Sequence, residues 1–256
     1  MTKGFYTNVS RYGNNILVRG YDSKGAHFSK REKFEPTLFI PTKEKPDYYS
    51  FIGNEPLKPR KFESISDAKD FIDQYGNVSG LRICGNTNFV QQYIQDRYPD
   101  DISFDINLIN IFNFDIEVDV SDGLPDMDEA DKAITSISVK SSKSDTYHLL
   151  ALKDYDKTKT ITGINPDNIQ FMKFDSESAL LSRFIQIWKN NYPDIITGWN
   201  CEYFDVYYII TRIIKLLGEA KAKELSPWGQ IKKVTNNIFH RQQSTYNITG
   251  ISIIDY

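Results

Sequence analysis

Three carboxylates are the residues of this 256-residue sequence best placed to do chemistry. Asp115 and Glu117 lie two positions apart in a strictly alternating run, with Phe112, Phe114, Ile116 and Val118 on one side and Asn113, Asp115, Glu117 and Asp119 on the other. That period belongs to a strand, so the two carboxylates project from one face about 7 Å apart. Like charges that close call for a cation, and oxygen ligands without His or Cys favour Mg²⁺ or Mn²⁺. A pair of such ions about 4 Å apart can activate a water and stabilise the leaving oxygen in phosphodiester hydrolysis. Asp205 is the third acid. It opens a helical run after Gly198-Trp199-Asn200-Cys201-Glu202-Tyr203-Phe204, where a strand end, a polar turn and a helix start meet, a favoured ligand site in an α/β sheet. Residue types alone leave plainer readings open. Asp-x-Glu also fits a solvent-facing strand edge, and Asp205 also fits a helix cap worth about 1 kcal/mol.

The elements that must position these acids follow from periodicity. After the strand at 112–119 comes an acidic loop at 121–132, then strands at 134–139 and 146–152 joined by a Ser/Lys-rich turn, which together predict a three-stranded antiparallel meander. Asp175 or Ser176 caps a helix carrying Leu180, Leu181, Phe184, Ile187 and Trp188 on one face. A short buried strand at 195–199 leads to Asp205, and Val206, Ile209, Ile210, Ile213, Ile214 and Leu217 keep helical spacing until Gly218. Upstream, strands at 5–9 and 15–21, a turn at 22–25 and a return at 27–34 predict a hairpin. Ser66 caps a helix ended by Gly76, a second short helix spans 87–98 before Pro99, and strand, helix, strand and helix near 62–98 suggest a compact α+β unit. Two domains are expected, 1–108 and 109–256.

Composition narrows the function classes. No apolar run approaches the roughly 20 residues of a membrane-spanning helix, and the amino terminus lacks the apolar core of a signal peptide, so a cytosolic setting without membrane is expected. Cys84 and Cys201 stand apart without partners at metal spacing, and both are expected to be small buried residues. His27, His148 and His240 are unclustered, which disfavours His-based acid/base or nucleophilic chemistry. The net charge of −3 argues against coating duplex DNA with bulk positive charge. One local stretch is suited to nucleic acid. Between Glu224 and Asp255 there is no acidic residue, while Lys232, Lys233, His240 and Arg241 fall inside it; a solvated structural hairpin fits the same charges.

Phe114-Asp115-Ile116-Glu117, followed by Thr197-Gly198-Trp199-Asn200 and Phe204-Asp205, resembles the first and second exonuclease motifs of family B DNA polymerases. Glu35-Pro36-Thr37-Leu38-Phe39, Asp122-Gly123-Leu124-Pro125, Gly218-Glu219 with Leu225-Ser226-Pro227, and Gly250-Ile251-Ser252-Ile253-Ile254-Asp255-Tyr256 extend the likeness to the polymerases of T-even-like bacteriophages, across essentially the whole chain. The resemblance implies an amino-terminal α+β domain of RNA-binding-like topology, then a 3′–5′ exonuclease domain of ribonuclease H-like fold with a mixed sheet, incomplete at its C-terminus. By it, Asp115, Glu117 and Asp205 are catalytic metal ligands for Mg²⁺ or Mn²⁺, with two ions in the complete site. Asn200 and Phe204 help to hold the primer's frayed 3′ end, and the hairpin at 232–249, with Lys232, Lys233 and Arg241, keeps template and unwound primer apart. The implied partners are single-stranded DNA, RNA at the amino-terminal domain, the remaining polymerase chain and viral replisome proteins, in the cytoplasm of an infected host cell.

Two departures from the family pattern matter. Leu124 stands where the family has an aromatic, which removes a stacking surface worth roughly 1–3 kcal/mol per base. The third motif, Tyr-x-x-x-Asp, is not found: none of the sixteen tyrosines is followed four residues later by Asp. The chain stops directly after the apolar 251–254, so that motif is expected in the continuation of a longer polymerase or in the second chain of a split one. With it missing, little exonuclease activity is expected from this chain alone. A binding module without turnover is the alternative.

Overall fold

The computed structural model describes residues 4–159, 163–238 and 241–256, and for Lys157, Asn237, Ile238 and Arg241 the backbone alone. His240 lies outside the described residues, and so does the side chain of Arg241. The chain divides into two compact units, Met1–Phe104 and Asp105–Tyr256. The class is mixed α+β, and among the described residues no helix is long and apolar enough to cross a membrane.

In the first unit, β1 (Phe5–Tyr12), β2 (Asn15–Tyr21) and β3 (His27–Lys33) form an antiparallel sheet in chain order. Strands β4 (Thr37–Pro41), β5 (Tyr48–Tyr49) and β6 (Pro56–Lys61) make a second sheet with β6 central. Helix α1 (Ile65–Tyr75) begins at Ser64, whose Oγ accepts from Asp67 N–H at 3.2 Å. The start is two residues before the expected Ser66 because Ile65 is itself core, packed with Ile16, Leu38, Phe62 and Phe71. Helix α2 (Phe89–Arg97) is capped by Asn88. The strand expected between the helices shrinks to one bridge, Phe39 with Cys84, and Cys84 is half-buried where full burial was expected.

The second unit is built on a six-stranded mixed sheet. Its strands are β7 (Ile111–Val118), β8 (Ile134–Ser141), β9 (Tyr147–Ala151), β10 (Ile169–Lys173), β11 (Ile195–Gly198) and, last in the chain, β14 (Ser252–Asp255), in the order β10-β9-β8-β7-β11-β14. The expected meander is present as the antiparallel run β7-β8-β9, while β10 pairs with β9, β11 with β7 and β14 with β11 in parallel. Helix α3 (Glu177–Asn190), capped by Ser176, covers β7: Trp188 meets the rings of Phe112 and Phe114 edge-on at 5.6 and 5.9 Å. Helix α4 (Asp205–Leu217) is followed by α5 (Glu219–Lys223) and the antiparallel hairpin β12 (Ile231–Ile238) and β13 (Arg241–Ile248). α4 buries more than the one face its apolar spacing predicted. Tyr207 stacks on Tyr246 of β13, Tyr208 donates to the Lys132 carbonyl, and Arg212 makes a two-pronged ion pair with Glu177 at 2.6 and 2.7 Å.

Candidate active site

Strand β7 alternates as read from its sequence, with Phe112, Phe114 and Ile116 buried and Asn113, Asp115 and Glu117 exposed. Its pairing with β11 is short. The parallel register runs from Ile111 opposite Ile195 to Asn113 opposite Thr197, and then β11 ends at Gly198. The chain turns away through Trp199, which is 77% exposed rather than part of a buried strand. Beyond Asn113, therefore, no strand among the described residues accepts the amides on this edge of β7. Asp205 takes over that work. Its Oδ1 accepts from Ile116 N–H at 2.9 Å, so a carboxylate occupies the ladder position that β11 vacates.

This placement determines the electrostatics. Asp205 is 3% exposed, and its carboxyl is pushed up to about 7, chiefly by burial and also by the charges of Asp115 and Asp255, against the stabilising Ile116 N–H. Partial burial of its carboxyl also raises Asp115, although the residue as a whole is exposed. Burial, followed by the surrounding carboxylates, pushes the Cys201 thiol well above its usual range, so this cysteine is no nucleophile. The structure thus brings Asp115 and Asp205 together. Glu117 shares the exposed face of β7, but among the described residues no group of three His, Cys, Asp or Glu side chains closes into a metal cage.

The other expected contacts divide in the same way. Asn200 is exposed at the turn with φ of 50°, in the left-handed region, and its carbonyl accepts from Phe204 N–H at 3.1 Å. The Phe204 ring stacks on Tyr208, at 6.0 Å between centroids. Lys232 is exposed on β12. Lys233 is engaged: its Nζ lies 3.1 Å from Asp128 Oδ1 and 5.0 Å over the Tyr207 ring, while the Tyr207 hydroxyl donates to the same Asp128 oxygen. Leu124, in the acidic loop, is 87% exposed.

The model of the DNA polymerase family B exonuclease domain matches residues 86–256. This chain belongs to that family. Among its relatives, the DNA-directed DNA polymerase of Enterobacteria phage T4 is 32% identical over 272 residues, covering 99% of this chain and 30% of that protein. The corresponding enzyme of Escherichia phage RB69 is 30% identical over 275 residues with the same coverage, and the DNA polymerase catalytic subunit of Alcelaphine herpesvirus 1 (strain C500) is 27% identical over 293 residues. The chain spans about 30% of the length of the phage relatives it matches.

The matched segment contains β7, α4 and β14, and hence every acid around Asp205. Family B exonuclease domains are divalent-metal dependent. The residues here fit such an ion: the donors are carboxylate oxygens, and a buried carboxylate held up to about 7 beside another negative charge is relieved by a cation. Two acids carried no assignment from the sequence: Asp255, beside Asp205, and Asp128, beside Lys233 of the hairpin. Asp128 sat within an acidic loop with no periodicity to aim it. Asp255 did carry a signal, since it ends an apolar strand just as Asp115 sits within one.

Proposed function

We propose that this chain is the amino-terminal and proofreading part of a viral DNA-directed DNA polymerase, hydrolysing the terminal phosphodiester of a single-stranded or frayed 3′ end and releasing nucleoside monophosphates. The observation that carries this reading is the buried Asp205 carboxylate, seated on Ile116 N–H beside Asp115 within the segment matched to the family's exonuclease domain. In this reading Asp115, Glu117 and Asp205 hold Mg²⁺ or Mn²⁺, two ions in the complete site. Bound there, the ions would lower the pKa of an attacking water and neutralise charge developing on the leaving oxygen. The protein's own contribution is to fix the acids on a central strand and a helix start, where their geometry is stiff. Asn200 and Phe204 grip the last nucleotide, and Lys232, Lys233 and Arg241 line the hairpin that keeps the strands apart.

The mixed sheet with its antiparallel meander and parallel flank supports a ribonuclease H-like assignment for this unit. For the first unit we propose the RNA-binding-like topology, with the domains divided at 108/109. The proposed partners are primer–template DNA, RNA at the amino-terminal unit, the remaining polymerase domains or chain, and viral replisome proteins, in the cytoplasm of an infected host cell. The test is single-turnover digestion of a 5′-labelled oligonucleotide with Mg²⁺ and then Mn²⁺, with and without a downstream fragment of the polymerase. Digestion that is strengthened by the fragment and lost in Asp115→Ala/Glu117→Ala supports the reading; undiminished cleavage by that variant refutes it. Binding in chelator without cleavage in either metal, even with the fragment, would instead identify a non-catalytic nucleic-acid module.

A further inference from the structure

The turn between β11 and α4 carries backbone amides that neither element satisfies. α4 has no side-chain cap: Phe204 occupies the N-cap position, and the Asp205 carboxylate is engaged by Ile116 N–H. The amides of Cys201 and Glu202 turn instead to Asp255, whose Oδ1 accepts from Cys201 at 3.0 Å and whose Oδ2 accepts from Glu202 at 3.4 Å. Asp255 ends β14, directly opposite Gly198 in the parallel register. A carboxylate suits this work because its two oxygens can meet two successive amides, each through a charge-assisted bond. The turn is tied elsewhere too: Thr245 Oγ1 donates to the Glu202 carbonyl at 2.8 Å, and Val206 N–H donates to the Cys201 carbonyl at 2.9 Å. It also packs against β7. A Cβ on Gly198 would stand 2.9 Å from Cys201 Cβ and 3.0 Å from the Phe114 carbonyl oxygen.

We infer that Asp255 is a positioning residue of the exonuclease site. Its carboxylate clamps the Cys201 and Glu202 amides and so fixes Asn200, Phe204 and Asp205 against β7. The inference rests on the roles given above to those three residues. Without the clamp the turn loses its tie to β14, and the residues on either side of it shift relative to Asp115. Because Asn200 and Phe204 are the residues that grip the last nucleotide, the effect falls on the terminal nucleotide rather than on the affinity for the strand as a whole.

The experiment measures the affinity of the full chain, in chelator, for one oligonucleotide ending in a 3′-hydroxyl and for the same strand ending in a 3′-phosphate. With no ion bound, the extra phosphate would face the carboxylates of Asp115 and Asp205, so the unaltered chain is expected to prefer the hydroxyl at least about tenfold. Asp255→Ala, and Asp255→Glu, which keeps the charge but lengthens the arm, should narrow the preference to within about threefold, with hydroxyl-strand affinity changed less than about tenfold. Tryptophan fluorescence identifies the folded variants, and Asp255→Glu serves where Asp255→Ala does not fold. A merely structural role lowers the melting temperature and leaves the preference alone; an unchanged preference in either folded variant overturns the inference while the exonuclease reading stands. No preference in the unaltered chain removes that reading and the inference with it.

Discussion

Asp205→Asn should stabilise the metal-free protein at alkaline pH, at the expense of the site. In the folded chain the Asp205 carboxyl is raised from its ordinary 3.8 to about 7. The folded state therefore holds this proton more tightly than the unfolded state, and its stabilising contribution is fully present below pH 3.8 and lost as pH rises through about 7. At about 1.4 kcal/mol per pH unit, the rise corresponds to a destabilisation of up to about 4 kcal/mol at pH 8. An amide keeps an oxygen for Ile116 N–H and carries no charge, so it avoids most of that burden. At about 3 °C per kcal/mol for a unit of this size, Asp205→Asn should melt up to about 12 °C higher than the unaltered chain in chelator at pH 8, with the difference shrinking towards pH 4. The assay is intrinsic fluorescence, because all three tryptophans, Trp188, Trp199 and Trp228, lie in the second unit and report on it alone. Mn²⁺ at a hundred times its dissociation constant should add about 2.7 kcal/mol to the unaltered chain and little to Asp205→Asn. Equal melting of the two proteins across pH 4 to 8 in chelator would refute the claim that Asp205 sits in the fold as a strained buried charge.

Replacing both Asp115 and Glu117 by Ala should abolish metal-dependent 3′ cleavage in the presence of the downstream fragment and leave the fluorescence melting transition in place. Neutralising Lys232 and Lys233 should flatten the dependence of oligonucleotide affinity on salt by about 0.7 in log–log slope for each phosphate that the hairpin no longer neutralises. Asp128→Asn, which frees Lys233 from its ion pair, should strengthen that binding, as anisotropy titrations at two salt concentrations would read. Arg212→Met should destabilise the second unit by about 3–5 kcal/mol in urea unfolding, because it strands Glu177 at 10% side-chain exposure without its partner.

What the sequence made legible follows from period and spacing. β7 declares itself through strict alternation, the meander through its turn residues, and α3 and α4 through helical spacing with a capping Ser176 and a closing Gly218. Boundaries were less visible where a buried residue extends an element past its obvious cap, as Ile65 does for α1, or where a run of apolar residues ends before its last member, as β11 does at Gly198. The tertiary partners of polar loop residues were not visible at all. Asp128 is defined by Tyr207 and Lys233, one on α4 and one on β12, and no local pattern encodes that meeting. Lys233 illustrates the cost of reading charge alone: a lysine in an acid-free stretch is already paired with an acid from another loop, so a phosphate reaching it must compete with Asp128.

The location of the acids has a topological cause. β7 is where the sheet changes from antiparallel pairing with β8 to parallel pairing with β11, and β7, β11 and β14 all present their carboxyl ends on the same side. Crevices at such strand ends are the usual ligand sites of α/β sheets. Here the crevice is made by a strand that stops early. Because β11 pairs only as far as Asn113, the Ile116 amide is left without a strand partner, and the helix start that follows β11 delivers Asp205 to it. Because β14 runs on to Asp255, the turn in between is held from the opposite side. Lengthening β11 by two paired residues would satisfy Ile116 with a backbone carbonyl and push Asp205 off the sheet, so the shortness of this strand is what places a buried negative charge beside Asp115.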